Sequence, residues 1–212
     1  GQHGERAHDV VGAVAQRREV HLYRGFGRVL EAAHMGQHAF DVLDGRLLWT
    51  LQRPGEPLTL SQPGVVAAFK DTLLVGQAQR LTGVDPLRGT VRWEVPLANP
   101  RGTNEVERLA DLVGPLLRVG DVVCARSFQS AVGCADAQRA TLLWSKNVGG
   151  IQAVGGDSEL VVGADASDRI TAWRANNGDL AWQNEALRHR GLSGARRTNS
   201  SNAVRACTYS SE

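Results

Sequence analysis

Few residues of this chain stand at spacings that could carry chemistry. His34 and His38 are four apart, the spacing that sets two imidazoles on one helix face as metal ligands. No third ligand accompanies them, and two solvated histidines are the plainer reading. Cys124 and Cys134 lie ten apart in a stretch that reads as a hairpin, while Cys207 sits in a polar tail. A two-residue loop, Gln129-Ser130, would set Cys124 opposite Ala135 and send the two thiols to opposite faces of the sheet. Two small buried thiols are therefore expected, and a shifted turn would pair them as a disulfide. Glu105, Glu107, Arg108 and Asp111 crowd into one polar stretch, LANPRGTNEVERLADLVGP, residues 97–115. An Arg108–Asp111 pair across a loop is its plain structural reading. The sequence offers no glycine-rich phosphate loop, nucleophile elbow or zinc spacing. The chain reads as a non-enzyme without metal or cofactor.

The elements that would position these residues come next. A chain of 212 residues with 42% hydrophobic and 22% charged residues can bury a core and reads as globular. No apolar run reaches the roughly 18 residues of a membrane helix. The opening GQHGERAHDV lacks a charged-then-apolar signal pattern. That leaves a cytoplasmic chain, or one whose export signal lies outside this sequence. The formal charge of +2 comes from the flanks, because residues 39–187 hold 14 basic and 17 acidic side chains. The middle offers no basic stripe, so no nucleic-acid partner is expected.

Four stretches align on their tryptophans: DVLDGRLLW (Asp41–Trp49), DPLRGTVRW (Asp85–Trp93), DAQRATLLW (Asp136–Trp144) and RANNGDLAW (Arg174–Trp182). The first position is Asp41, Asp85, Asp136 and then Arg174; the fifth is Gly45, Gly89, Ala140 and Gly178; the ninth is always Trp. Each stretch reads as a strand, a tight turn and a second strand. The turn needs a residue at positive φ, which glycine supplies without a Cβ clash. The Asp carboxylate can accept from local amides and hold the turn. A left-handed alanine costs about 1–2 kcal/mol, so another turn geometry is expected at Ala140.

Two further strands precede the later hairpins, as in GVVAAFK-DT-LLVGQ before Asp85 and GPLLRV-GD-VVCARSF before Asp136. Each unit then holds four short antiparallel strands. The tryptophans follow one another at 44, 51 and 38 residues, near the period of a β-propeller blade. The expected fold is all-β, a partial propeller of about four four-stranded blades. Trp49, Trp93, Trp144 and Trp182 should fill equivalent gaps between stacked blades, and Trp173, outside the register, should be ordinary core packing. An array with two uncovered end faces is expected to be marginally stable or to associate.

The repeat resembles that of pyrroloquinoline-quinone-type propellers. Within that superfamily, RGTNEVERLADLVGPLLRVGDVVCARSFQSAVGCADAQRATLLWSKNV and SDRITAWRANNGDLAWQNEALRHRGLSGA resemble the BamB family, propeller lipoproteins of the outer-membrane β-barrel assembly machinery. The resemblance implies a non-enzymatic scaffold that docks the barrel-bearing, BamA-like subunit and aids folding and insertion of nascent outer-membrane proteins. It implies the periplasmic face of the outer membrane, with attachment only through a lipid anchor absent from this sequence. The docking residues it implies are Leu58 and Leu60 of a Leu-Thr-Leu segment, with Glu105, Arg108 and Asp111 of the 97–115 loop. The family's following Arg is Ser61 here, and its second loop acid is Val113. The runner-up is a quinone-dependent dehydrogenase fragment, for which the adjacent cysteines usual in such enzymes are missing, and a third reading is a generic propeller scaffold for some other periplasmic or surface partner.

The resemblance divides the chain into propeller blades at 39–195 between two flanks. Residues 1–38 carry five of the six histidines without a clean blade pattern, and read as non-native sequence or a degenerate blade. Residues 196–212 read as a disordered or non-native tail. The use of 22 Arg against two Lys points to GC-rich coding, in which a shifted frame yields such compositions.

Overall fold

The structure, a computed structural model, describes residues 12–15, 18–23, 28–33, 36–41, 43–52, 65–98 and 111–186, with side chains from Gln37 onward. The described elements are all strands, in four antiparallel meanders. The first sheet is β1 (Gly12–Ala15), β2 (Arg18–Tyr23), β3 (Arg28–Ala33), β4 (Gly36–Asp41) and β5 (Leu47–Gln52). The second is β6 (Val66–Phe69), β7 (Thr72–Gln77), β8 (Arg80–Val84) and β9 (Val91–Pro96). The third is β10 (Leu112–Val119), β11 (Val122–Ser127), β12 (Ala131–Asp136) and β13 (Thr141–Lys146). The fourth is β14 (Gly155–Gly156), β15 (Leu160–Ala164), β16 (Ile170–Arg174) and β17 (Leu180–Asn184). This is the expected partial propeller, except that the first blade carries a fifth strand, β1, paired with β2.

The repeated stretch forms the same joint in every blade. Gly45, Gly89 and Gly178 take φ of 71°, 70° and 72°. Their amides donate to the carbonyls of Asp41, Asp85 and Arg174 at 2.9, 2.8 and 2.8 Å. The Asp carboxylates hold the turns as expected: Asp85 accepts from Leu87 N–H and Arg88 N–H, and Asp136 from Gln138 N–H and Arg139 N–H. In the fourth blade, where Arg174 replaces the Asp, Asn177 Oδ1 accepts from Asp179 N–H. Ala140 corrects the sequence expectation, for it adopts the same left-handed turn at φ 55°. The surrounding ladder overrides its local preference.

After each turn the ladder slips by one residue, leaving Leu48, Arg92, Leu143 or Ala181 without an opposite partner. Such a bulge bends the strand and re-aims the next side chain, which is always the tryptophan. Trp49, Trp93, Trp144 and Trp182 face Ala39, Gly83, Cys134 and Ala172. The ring then reaches across to the following blade. Trp49 Nε1–H donates to Pro86 O at 3.0 Å and Trp144 Nε1–H to Ala175 O at 2.8 Å, each the second residue of the next blade's turn. Trp93 packs on the cluster that joins Leu74, Leu81 and Val95 of the second blade to Val123, Ala135 and Ala137 of the third. Trp182 departs from the pattern: it is the outermost of the four, with 42% of its surface exposed.

The glycine of the turn has a second duty. A Cβ added at Gly89 would stand 2.5 Å from the Trp49 ring, and one at Gly178 2.6 Å from the Trp144 ring. The Asp–Gly–Trp spacing thus encodes a left-handed turn whose flat back is the seat of the preceding blade's indole.

The hairpin between β11 and β12 also corrects the sequence expectation. Its loop holds three residues, Phe128, Gln129 and Ser130, with Gln129 at φ 49°. The extra residue shifts the register by one, so Cys124 faces Cys134 and the two form a disulfide in place of free thiols. The bridge lies in the core between the third and fourth blades, with Trp144, Val161 and a nearly inaccessible Trp173.

The glycine seats can be tested against Gly120, whose φ is 59° but around whose added Cβ nothing lies within 4 Å. Gly120→Ala should cost about 1–2 kcal/mol, the left-handed term alone. Gly89→Ala and Gly178→Ala should each cost about 2–4 kcal/mol, because ring displacement adds to that term. Urea unfolding midpoints of the three variants measure the difference, and equal costs would refute the seat.

Candidate functional site

A meander of four strands returns to the end where it began, so each blade has two distinct ends. At one, the turn end, lie Lys70-Asp71, Gly120-Asp121 and the Asp-to-Gly turns. At the other, the connection end, each outer strand leaves for the inner strand of the next blade. Gln52 and Val65 flank one such connection, and Ala98 and Asp111 flank the next. Both sequence-inferred docking segments belong to these connections. Leu58, Leu60 and Ser61 of the first, and Glu105 and Arg108 of the second, lie outside the described residues.

The flanks of the second segment are tightly held. Leu97 N–H donates to Gln79 O at 2.9 Å, and Leu112 N–H to Ala78 O at 2.8 Å. Both ends of the insertion are therefore tied to the β7–β8 turn. Asp111 is buried, at 9% exposure, and its carbonyl accepts from Phe128 N–H at 2.8 Å. Ser145 Oγ–H donates to Leu97 O at 2.7 Å, adding a tie from the third blade. Val113, at the position of the family's second acid, is buried opposite Arg126 on β11. Of the two histidines, His34 lies outside the described residues; His38 is on a strand, β4, with Nδ1 3.1 Å from Thr50 Oγ.

Sequence reasoning passed over Arg126. Gly76, Arg126 and Ala164 are equivalent, each three residues beyond the one facing the strand-end before the turn. Two blades use a small residue there, and the third a full guanidinium with no exposed surface. Room comes from Gly150 and Gly163, where an added Cβ would run into the guanidinium. Nη1–H donates to Val148 O at 3.0 Å, while Nε and Nη2 have no hydrogen-bond partner among the described residues. Burial pushes the Arg126 guanidinium down to about 10, against the pull of Asp165. A charged residue inside the run VVCARSF, where its counterparts are small, is the sequence signal that could have found it.

At the turn end the charges are matched. Arg92 Nη1 bonds Asp71 at 2.9 Å and Arg92 Nη2 bonds Asp85 at 3.2 Å. The Leu87 amide, with help from Arg92, holds the Asp85 carboxyl below the usual range. The Arg139 amide and guanidinium do the same for Asp136. These carboxylates fasten turns, and the arrangement is a frame of strands with its two long connections at one end.

Two measurements check this electrostatic account. Arg126→Met keeps the stem and removes a buried charge with unmade bonds, so it should raise stability by about 1–3 kcal/mol. Because the folded guanidinium titrates below its unfolded value, the unfolded chain binds the extra proton, and the wild-type deficit should shrink as pH rises above about 10. A thermal unfolding series from neutral to alkaline pH reads both effects, and a less stable variant would contradict the assignment. For Asp136 the sign is reversed: its lowered carboxyl contributes stability above the unfolded value, lost as pH falls through the folded one. Asp136→Asn should therefore melt earlier than wild type at neutral pH, with the gap closing below about pH 4.

Comparisons with known proteins follow the same geometry. The family model for the outer membrane protein assembly factor BamB matches residues 9–184. BamB of Burkholderia pseudomallei is 32% identical over 154 residues, 72% of this chain and 40% of that one. The crystal structure of BamB from Moraxella catarrhalis gives a TM-score of 0.72 at 16% identity, covering 86% of this chain and 62% of that one. A europium-containing methanol dehydrogenase gives 0.54 at 13% identity, covering 74% and 39%, a likeness of fold alone. The chain spans about two fifths of the length of the curated relatives it matches. With the family match running through all four sheets, the chain belongs to the BamB family of outer membrane protein assembly factors.

Proposed function

We propose that this chain is a non-enzymatic scaffold of outer-membrane protein assembly, docking the barrel-bearing subunit of the machinery through the connection end of its blades. The observation that carries the reading is the placement of the segment flanks: Gln52 with Val65, and Ala98 with Asp111, stand at one end of adjacent blades. Two segments far apart in sequence, one apolar with Leu58 and Leu60 and one polar with Glu105 and Arg108, thereby leave a common frame. Apolar anchors beside a polar rim form the usual anatomy of a protein interface. The hydrogen bonds that pin Leu97 and Leu112 fix where the polar segment starts and stops, which lowers the ordering cost of binding. Asp111, buried at the root of that segment, sets its exit. By aiding the docked subunit, the scaffold serves the folding and insertion of nascent outer-membrane proteins.

The Cys124–Cys134 disulfide supports the periplasmic face as the site of action, since such bridges persist in oxidising compartments. Attachment to the membrane is assigned to a lipid anchor, as the family resemblance implies.

Co-purification with the periplasmic domains of the barrel-bearing subunit tests the docking. Leu58→Ala with Leu60→Ala, and separately Glu105→Ala with Arg108→Ala, should each weaken retention at least about tenfold. Leu87→Ala, exposed at the opposite end of the blades, should leave it unchanged. Asp111→Ala is read together with its melting temperature, because the residue is buried. Full retention by both double variants would remove this face as the docking surface.

A further inference from the structure

Arg126 carries a full positive charge into the gap between the third and fourth blades, and it has no exposed surface. Glycines of the fourth blade and of the connection to it make its walls. A Cβ at Gly150 would stand 2.3 Å from Nη1, and one at Gly163 2.4 Å from Nη2. Nη1–H donates to Val148 O at 3.0 Å. Nε and Nη2 meet no acceptor among the described residues. Asp165 attracts the group but is engaged elsewhere. One of its oxygens accepts from Ser167 N–H at 2.8 Å and Arg169 N–H at 3.1 Å, and the other pairs with Arg169 Nη2 at 2.7 Å.

The two unmet donors act as a pair. In a planar guanidinium, Nε–H and the nearer Nη2–H leave one edge in parallel, at the spacing of the two oxygens of a carboxylate. We propose that this edge of Arg126 binds one small carboxylate anion between the third and fourth blades. Charge selects a monoanion, because Asp165 and Arg169 cancel and leave the single charge of Arg126. Shape selects paired oxygens over a spherical halide, since only the pair meets both N–H groups in line. Space selects formate or acetate over a larger acid, for the guanidinium is enclosed and Val154 Cγ1 stands 3.1 Å from a Cβ at Gly163. The anion supplies two charge-assisted bonds to a cation whose burial is otherwise costly. This inference is independent of the docking reading.

Formate exchanged for chloride at constant ionic strength tests the site in the chain of 212 residues. The wild-type melting temperature should rise by about 3–5 °C as formate reaches about ten times its dissociation constant. Arg126→Lys keeps the charge and loses the fork, so its melting temperature should not respond, and neither should that of Arg126→Met. The stability gain expected of Arg126→Met in chloride should accordingly shrink as formate rises. Benzoate, too large to be enclosed, should give wild type no such rise. Nuclear magnetic resonance of the chain labelled with a nitrogen isotope reads the site without melting it. One arginine Nε–H resonance, identified by its loss in Arg126→Lys, should move downfield on addition of formate. An equal formate response in wild type and Arg126→Lys, a benzoate rise matching that of formate, a melting temperature the same in formate as in chloride, or an unmoved Nε–H resonance would each overturn the proposal.

Discussion

The contact of an indole with the back of a left-handed turn governs this molecule. A four-stranded blade has two faces and cannot bury either by itself. The Asp-to-Gly turn removes the one Cβ that would hold a neighbour away, and the bulge after it swings the next ring across the gap. Around each ring gather the apolar side chains of two sheets, Leu73, Val75 and Val84 at the first gap and Val132, Val161 and Trp173 at the third. Burial of such rings is worth several kcal/mol, with Trp→Ala in cores costing about 3–5. Stability is then a sum over neighbours, and no blade is stable on its own account.

That arrangement divides labour between the two ends of the blades. The turn end is committed, because its residues are spaced by the demands of the ring and its carboxylates are consumed by backbone amides and by Arg92 or Arg139. The connection end has no such obligation. Between β9 and β10 a long polar insertion has both of its roots tied, by Leu97 to Gln79 and Leu112 to Ala78. Loops on a rigid frame are where recognition develops at little cost to the fold.

Much of this was legible in the sequence, and the omissions have physical causes. The tryptophan period gave blade number, strand order and the role of the turn, because each is dictated by local spacing. The bulge was hidden in RLLW and TLLW, where two apolar residues precede the ring and break a strict alternation. Cys124 and Cys134 were misjudged because one residue of loop length reverses which face a strand residue takes. Ala140 was misjudged because a propensity of about 1–2 kcal/mol yields to a ladder fixed on both sides. Trp182 looked identical to its three counterparts, since the neighbour that would bury it is no part of its own motif. Arg126 was missed for a similar reason: the glycines that admit it lie 24 and 37 residues further along the chain, in the connection to the fourth blade and on β15.

Three of the departures from the repeat fall together. The alanine in a left-handed turn, the guanidinium at a position small in its neighbours and the disulfide all fall in the third blade, β10 to β13. That is the blade entered from the 97–115 insertion. Residues that break local rules at an energetic cost tend to gather where function constrains the chain, and to be compensated nearby. Here the compensation is covalent and central, for the Cys124–Cys134 bridge ties the two middle strands of the same sheet. Arg126 stands on one of those strands and Ala140 follows the other. A sheet so tied can carry a buried charge and a strained turn while holding Asp111, through Phe128, at a fixed place. The tied sheet of the third blade and the fixed roots of the insertion that leads into it are two sides of one construction.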